Sequence, residues 1–189
     1  MGNCPFSVPY QILPSPARNI SNARSEMSNP QIITIGVYGF TETAFFQSLV
    51  NAKVDTFCDI RMRRGIRGAV YSFVNSKYLQ TRLNQLGIKY IHLKELAPSQ
   101  ETRDRQKQAD KKSGEGKRTR TVLSQDFIQL YKTQCLNEFK ANEFLEKLGG
   151  GANCIALFCV EKEPSACHRS LVAKQLEYEL GLKVNHIMP

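Results

Sequence analysis

The segment Cys154-Ile-Ala-Leu-Phe-Cys-Val160 is apolar at every position. A run this short and this uniformly apolar is a strand buried on both faces, as in the middle of a parallel sheet. Such a strand needs helices above and below it. The rest of the chain is therefore expected to alternate strand and helix.

The pattern of residues agrees. Ile32, Ile33, Thr34 and Ile35 form a β-branched run ending at Gly36, and Thr41 can cap a helix through Ala44, Phe45, Leu49 and Val50. Val54 to Cys58 reads as a second strand, followed by Asp59. Lys77 to Leu86 reads as a short helix stopped by Gly87, and Ile88 to Leu93 as a third strand. Ser124 opens a helical stretch to Leu148, with a break near residues 137–141, and Gly149, Gly150 and Gly151 end it. After the apolar strand, Ser165 or a neighbour opens a helix to Leu180, Gly181 terminates it, and Lys183 to Ile187 forms a last strand. The expectation is an α/β domain: a mostly parallel, Rossmann-like sheet of about five strands flanked by helices.

Two stretches fall outside the pattern. Residues 97–121 are rich in Lys and Arg and nearly devoid of apolar side chains, and read as a mobile basic insertion within a single domain over residues 31–189. Residues 1–30 are rich in Pro, Ser and Asn and read as a disordered tail; Met27 could be a downstream start. The tail lacks the apolar core of a signal peptide, and Phe6 breaks the myristoylation pattern that Met1-Gly2 begins. No stretch of 18 apolar residues is present, so no membrane partner is expected.

The net charge of +9 favours a polyanionic partner, a nucleic acid or a phosphorylated small molecule. The six cysteines (Cys4, Cys58, Cys135, Cys154, Cys159, Cys167) show no paired C-x-x-C and read as reduced thiols of a cytoplasmic protein. Nothing in the sequence speaks to oligomeric state.

In parallel α/β sheets ligands bind beyond the carboxyl ends of the strands. Gly36, Asp59, Arg61 and the segment from Cys159 to Arg169 all follow strands, and His92 sits at the end of the third, so they converge on one rim. A helix start near Cys167, His168 and Arg169 favours anions and thiolates. His168 can move a proton near neutral pH, and Arg169 can clamp a phosphate with two hydrogen bonds. Asp59 can act as a base or hold Arg61. Arg61, Arg64, Arg67, His92 and Arg169 are the expected anion-binding residues; Asp59, Cys159, Glu161, Cys167 and His168 are the expected chemical ones. Tyr71, Phe73 and Tyr78 lie near the arginine loop and could stack on bases. No cofactor is expected. Cys159, Cys167 and His168 could supply zinc ligands, but neighbours on a helix point about 100° apart, against a shared ion.

The motifs Thr34-Ile-Gly36, Asp59-Ile-Arg61, His92-Leu-Lys-Glu-Leu96 and Cys159-Val-Glu161 through Pro164, Cys167, His168 and Arg169 together resemble the domain-of-unknown-function 488 family over about residues 31–187. The departures are Val37-Tyr38, where the family has His-Ser; Met62-Arg63-Arg64-Gly65, where it tends to Pro and Ser; and Ala97-Pro98, where it has Gly-Gly. The resemblance implies a compact α/β fold with these residues gathered at one site. It supplies no reaction, and its implied link is to nucleic acids or nucleotides.

Three readings follow. The first is an enzyme-like domain acting on a nucleic acid, nucleotide or other phosphorylated substrate. The second is a non-catalytic nucleic-acid-binding module that works through the arginine loop and residues 103–120. The third is a thiol redox or zinc protein.

Overall fold

A computed structural model describes Met1 and residues 30–189. The expectations for the N-terminal tail, Met27 and Cys4 fall outside the described residues.

Five strands form one parallel sheet in the order β3-β2-β4-β1-β5. They are β1 (Gln31–Ile35), β2 (Thr56–Asp59), β3 (Lys89–His92), β4 (Cys154–Phe158) and β5 (Val184–Ile187). The helices are α1 (Glu42–Asn51), α2 (Ser76–Gln85), α3 (Gln100–Ser113), α4 (Gln125–Tyr131), α5 (Ala141–Leu148) and α6 (Arg169–Leu180). The apolar run is the central strand β4, buried at every residue between β1 and β2. Phe158 is fully buried and packs on Phe45 of α1 and Phe57 of β2. Right-handed crossovers require the chain to change direction after β3, so α1 and α2 share one face and the later helices cover the other. Among the described residues no helix is long and apolar enough to cross a membrane.

The helix boundaries follow local chemistry. Thr41 caps α1 through a hydrogen bond from the Ala44 amide, as its sequence position predicts. Ser124 caps α4 in the same way, and one wider turn over Lys132–Leu136 continues it before the break. Helix α6 begins later than expected. Pro164–Ala166 make a 3₁₀ turn, and regular helix starts at Arg169.

The largest difference lies in residues 97–121. The stretch read as a mobile insertion instead carries the 14-residue helix α3. Ser99 caps it by accepting from the Thr102 amide, Lys111 and Lys112 suit the negative end of its dipole, and left-handed Gly114 closes it. Apolar periodicity is missing because α3 docks through polar contacts. Thr102 donates to Gln134 at 2.8 Å, and buried Gln106 accepts from the Ser124 amide at 2.9 Å. Ser99→Ala is expected to cost about 1 kcal/mol and Ser99→Gly only a few tenths, as urea melts can measure.

Candidate functional site

At the end of β4, Cys159 enters a turn that crosses the rim of the sheet. The Val37 and Tyr38 amides donate to Val160 O, which ties the turn to the chain leaving β1. The segment after α3 holds it from the other side. The Leu123 amide donates to Ser165 O, the Ser165 hydroxyl donates to Thr121 O, and Arg120 Nη2 donates to Ala166 O. Cys167 then adopts extended backbone (φ −139°, ψ 139°), so its thiol turns back toward Cys159 instead of following helical spacing.

Four of the sequence-predicted chemical residues meet here, all buried. Cys159 Sγ lies 3.2 Å from Glu161 Oε2 and 3.8 Å from His168 Nδ1, and Cys167 Sγ lies 3.9 Å from the same nitrogen. Cys159, Cys167 and His168 thus present three donor atoms all within 4.8 Å of one another, a set able to hold a metal. The sequence argument against a shared ion assumed helical geometry for Cys167, and the extended backbone removes that assumption.

Burial pushes the Cys159 thiol up, with Cys167 and Glu161 adding to it. Burial also opposes ionisation of Cys167, but the Cys159 hydrogen bond, the Arg169 charge and His168 outweigh it and hold that thiol well below its usual value. Burial raises Glu161, and the Lys117 and His168 charges only partly offset it. His168 is lowered by burial but raised more by Cys167 and Glu161, for a net rise.

These residues line a cavity of about 510 Å³, within the range of small-molecule sites. Its wall also carries Arg63, Arg67, Arg103, Lys107 and Lys117, together with buried Arg61 and Arg120. The carboxylates lining it are Asp110 and Glu161. Glu161 Oε1 lies 3.6 Å from both Lys117 Nζ and Arg120 Nη2, and Asp110 pairs with Arg120 at 2.8 Å.

Arg61 is 4% exposed and forks onto Asp59, with Nε donating to Oδ1 at 2.8 Å and Nη2 to Oδ2 at 2.7 Å. Tyr90 donates to the same carboxylate, and Nη2 also donates to Val74 O. Arg61 Nη1 has no hydrogen-bond partner among the described residues. Asp59 is fully buried and saturated by these donors, so it positions Arg61 and has no free face for base chemistry. His92 Nε2 donates to Arg61 O at 2.8 Å and stands outside the cavity lining, as does Arg64.

Arg169, expected to bind an anion, also stands outside the lining. Its side chain is fully buried, with Nη1 donating to Glu161 O at 2.5 Å, Nη2 to Lys162 O at 2.7 Å and Nε to Thr34 Oγ1 at 3.3 Å. A guanidinium spent on two backbone carbonyls and a hydroxyl clamps the turn and leaves no fork for a ligand.

A sequence model of the family described as "Domain of unknown function DUF488" matches residues 42–176. The chain belongs to the DUF488 family. The match includes Asp59, Arg61 and the whole cluster from Cys159 to Arg169, while Thr34-Ile-Gly36 precedes it. No match was found among curated proteins or among solved structures.

The DUF488 motif therefore brings Cys159, Glu161, Cys167 and His168 to one cavity. The sequence reading missed Arg120, Lys117 and Tyr38 as individual lining residues. For Lys117 and Arg120 the signal was local: Ser99 and Gly114 bracket a run of good helix formers, which places residues 115–121 directly after a helix end.

Proposed function

We propose that this DUF488 protein is an enzyme acting on a phosphorylated substrate of nucleotide size, taken free or as one unit of a nucleic acid. One observation carries the reading: a cavity whose lining holds seven Lys and Arg side chains against two carboxylates also has buried Cys159, Glu161, Cys167 and His168 in it. Cations in a confined site attract phosphate, and buried titratable groups beside them supply chemistry.

Within that reading, Arg63 and Lys117 contact the anion, and Arg61 adds its charge from within the cavity wall. Asp59 and His92 hold Arg61 in place. Tyr38 lines the cavity with its ring 5.1 Å from that of Tyr71, and the Arg118 guanidinium lies over both rings. Such a pair of rings suits stacking on a base. The reading also places the chain in a reducing compartment such as the cytoplasm, where its cavity thiols stay free.

The test is calorimetric titration with a nucleoside monophosphate, inorganic phosphate and short single-stranded oligonucleotides across a salt series. A saturable nucleotide site is expected, weakening as salt rises. Lys117→Ala and Arg63→Ala should each weaken it about 5- to 10-fold, near 1–1.4 kcal/mol. Binding of none of these ligands at low salt overturns the proposal. Binding of oligonucleotides alone, untouched by Lys117→Ala and Arg63→Ala, replaces it with the non-catalytic module.

A further inference from the structure

We propose that Cys159 Sγ, Cys167 Sγ and His168 Nδ1 form a three-ligand zinc site whose fourth position opens into the cavity. The inference deepens the enzyme reading above and rests on it for the identity of the substrate.

Three observations converge. The first is spacing. His168 Nδ1 lies 3.8 Å from Cys159 Sγ and 3.9 Å from Cys167 Sγ. Zinc–sulfur bonds of about 2.3 Å and zinc–nitrogen bonds of about 2.0–2.1 Å at tetrahedral angles put sulfur and nitrogen roughly 3.5 Å apart. Both spans need to close by only a few tenths of an ångström. The elements that bring the ligands are fixed independently: β4 delivers Cys159, and the Arg169 clamp and the Arg120 contact hold the turn that delivers Cys167 and His168.

The second observation is the ring orientation. His168 Nε2 lies 3.1 Å from Ile60 O, buried at the end of β2. A carbonyl only accepts, so Nε2 carries the hydrogen. In the neutral ring Nδ1 is then a lone pair, turned toward both sulfurs. Metal-binding histidines are commonly fixed this way, by a backbone carbonyl on the opposite ring nitrogen.

The third observation is access. All three residues belong to the cavity lining, so a fourth ligand has space nearby large enough for water and a substrate. Structural zinc sites are closed by a fourth protein ligand, whereas catalytic ones keep that position open. Glu161 stands beside the cluster, with Oε2 3.2 Å from Cys159 Sγ and Oε1 turned toward Lys117 and Arg120. It is placed to take a proton.

The chemistry this supports is hydrolysis. Zinc held by these three residues would acidify a bound water, which would bond to the electrophilic carbon or phosphorus of the substrate as the bond to the leaving group breaks, with Glu161 placed to pass the proton to the departing atom. Water is the only co-reactant, and no electron changes hands.

The experiment uses the full chain, purified under reducing conditions. Zinc is measured by elemental analysis, then removed with a chelator and replaced by cobalt(II). One zinc per chain is expected, along with tetrahedral cobalt bands and a thiolate-to-cobalt charge-transfer band. Cys159→Ala, Cys167→Ala and His168→Ala should each weaken zinc binding by more than about 100-fold, beyond the 10- to 100-fold typical of residues that merely support a ligand. Cys135→Ala, on a thiol bonded to Ala97 O and not one of the three donors, should leave it unchanged. Absence of the charge-transfer band in wild type overturns the proposal, even if the variants fail to fold. So does a band that survives Cys167→Ala or is lost in Cys135→Ala. Titrating a nucleoside monophosphate into metal-stripped and zinc-loaded protein separates the two readings. Nucleotide binding without stoichiometric zinc removes the metal and keeps the cavity; stoichiometric zinc without any phosphorylated ligand does the reverse.

Discussion

Gly36→Ala is expected to destabilise the protein by about 3 kcal/mol or more, at the top of the usual range for forcing an atom into a packed interior. The residue leaves β1 where the turn after β4 crosses it. A Cβ built on Gly36 would sit 1.8 Å from Glu161 O and 2.8 Å from Glu161 C, with Arg169 Nη1 at 3.1 Å. Backbone cannot rotate aside as a side-chain tip can, so the turn itself must move. Its carbonyl is an acceptor for the Arg169 clamp, and its side chain is Glu161 of the cavity. The substitution should therefore lower the urea midpoint and also impair ligand and zinc binding in whatever fraction folds. Gly116→Ala is the control. Its added methyl meets nothing closer than Thr119 Oγ1 at 3.9 Å, so its effect should stay within about 0.5 kcal/mol. Equal midpoints for the two variants would show that the turn slides freely over β1.

What the sequence made legible is what local pattern encodes. The apolar run marked β4 as central because only a strand buried on both faces lacks polar alternation. The convergence of Cys159, Glu161, Cys167 and His168 followed from the rule that parallel strands deliver their ligands at one edge. What stayed hidden depends on partners distant in sequence. Helix α3 has no apolar stripe, and its docking rests on Thr102, Gln106 and the bond from Arg120 to Asp110, polar residues that a hydrophobicity pattern scores as solvent-facing. Asp59 and Arg61 were expected to project together, and they do, but Tyr90 and Val74 complete their contacts and bury the pair. His92 and Arg64 lie on the correct rim, yet His92 turns to the backbone of Arg61 and Arg64 stays out of the lining. Proximity to a strand end thus located the cavity rim without sorting residues that line it from those that pack behind it.

Arg169 carries the sharpest consequence of that distinction. An arginine at a helix start reads as an anion binder, and as such Arg169→Ala would abolish ligand binding and spare the fold. The contacts of Arg169 support a different expectation. Among the contacts of its buried guanidinium are Glu161 O, Lys162 O and Thr34 Oγ1, neutral acceptors drawn from the turn and from β1. Truncation leaves buried acceptors without donors, at about 1–3 kcal/mol each, and opens a void where the side chain lay. A total loss of about 4–5 kcal/mol is expected, comparable with the whole stability of many domains. Arg169→Lys should recover little, because an ammonium is a point donor and cannot span the two carbonyls as the planar fork does. Urea melts with unchanged slope and a much lower midpoint would confirm the clamp. A variant that melts like wild type but no longer binds a nucleoside monophosphate would instead return Arg169 to the ligand. The outcome also bears on the zinc site, since the same turn sets the positions of Cys167 and His168 relative to Cys159.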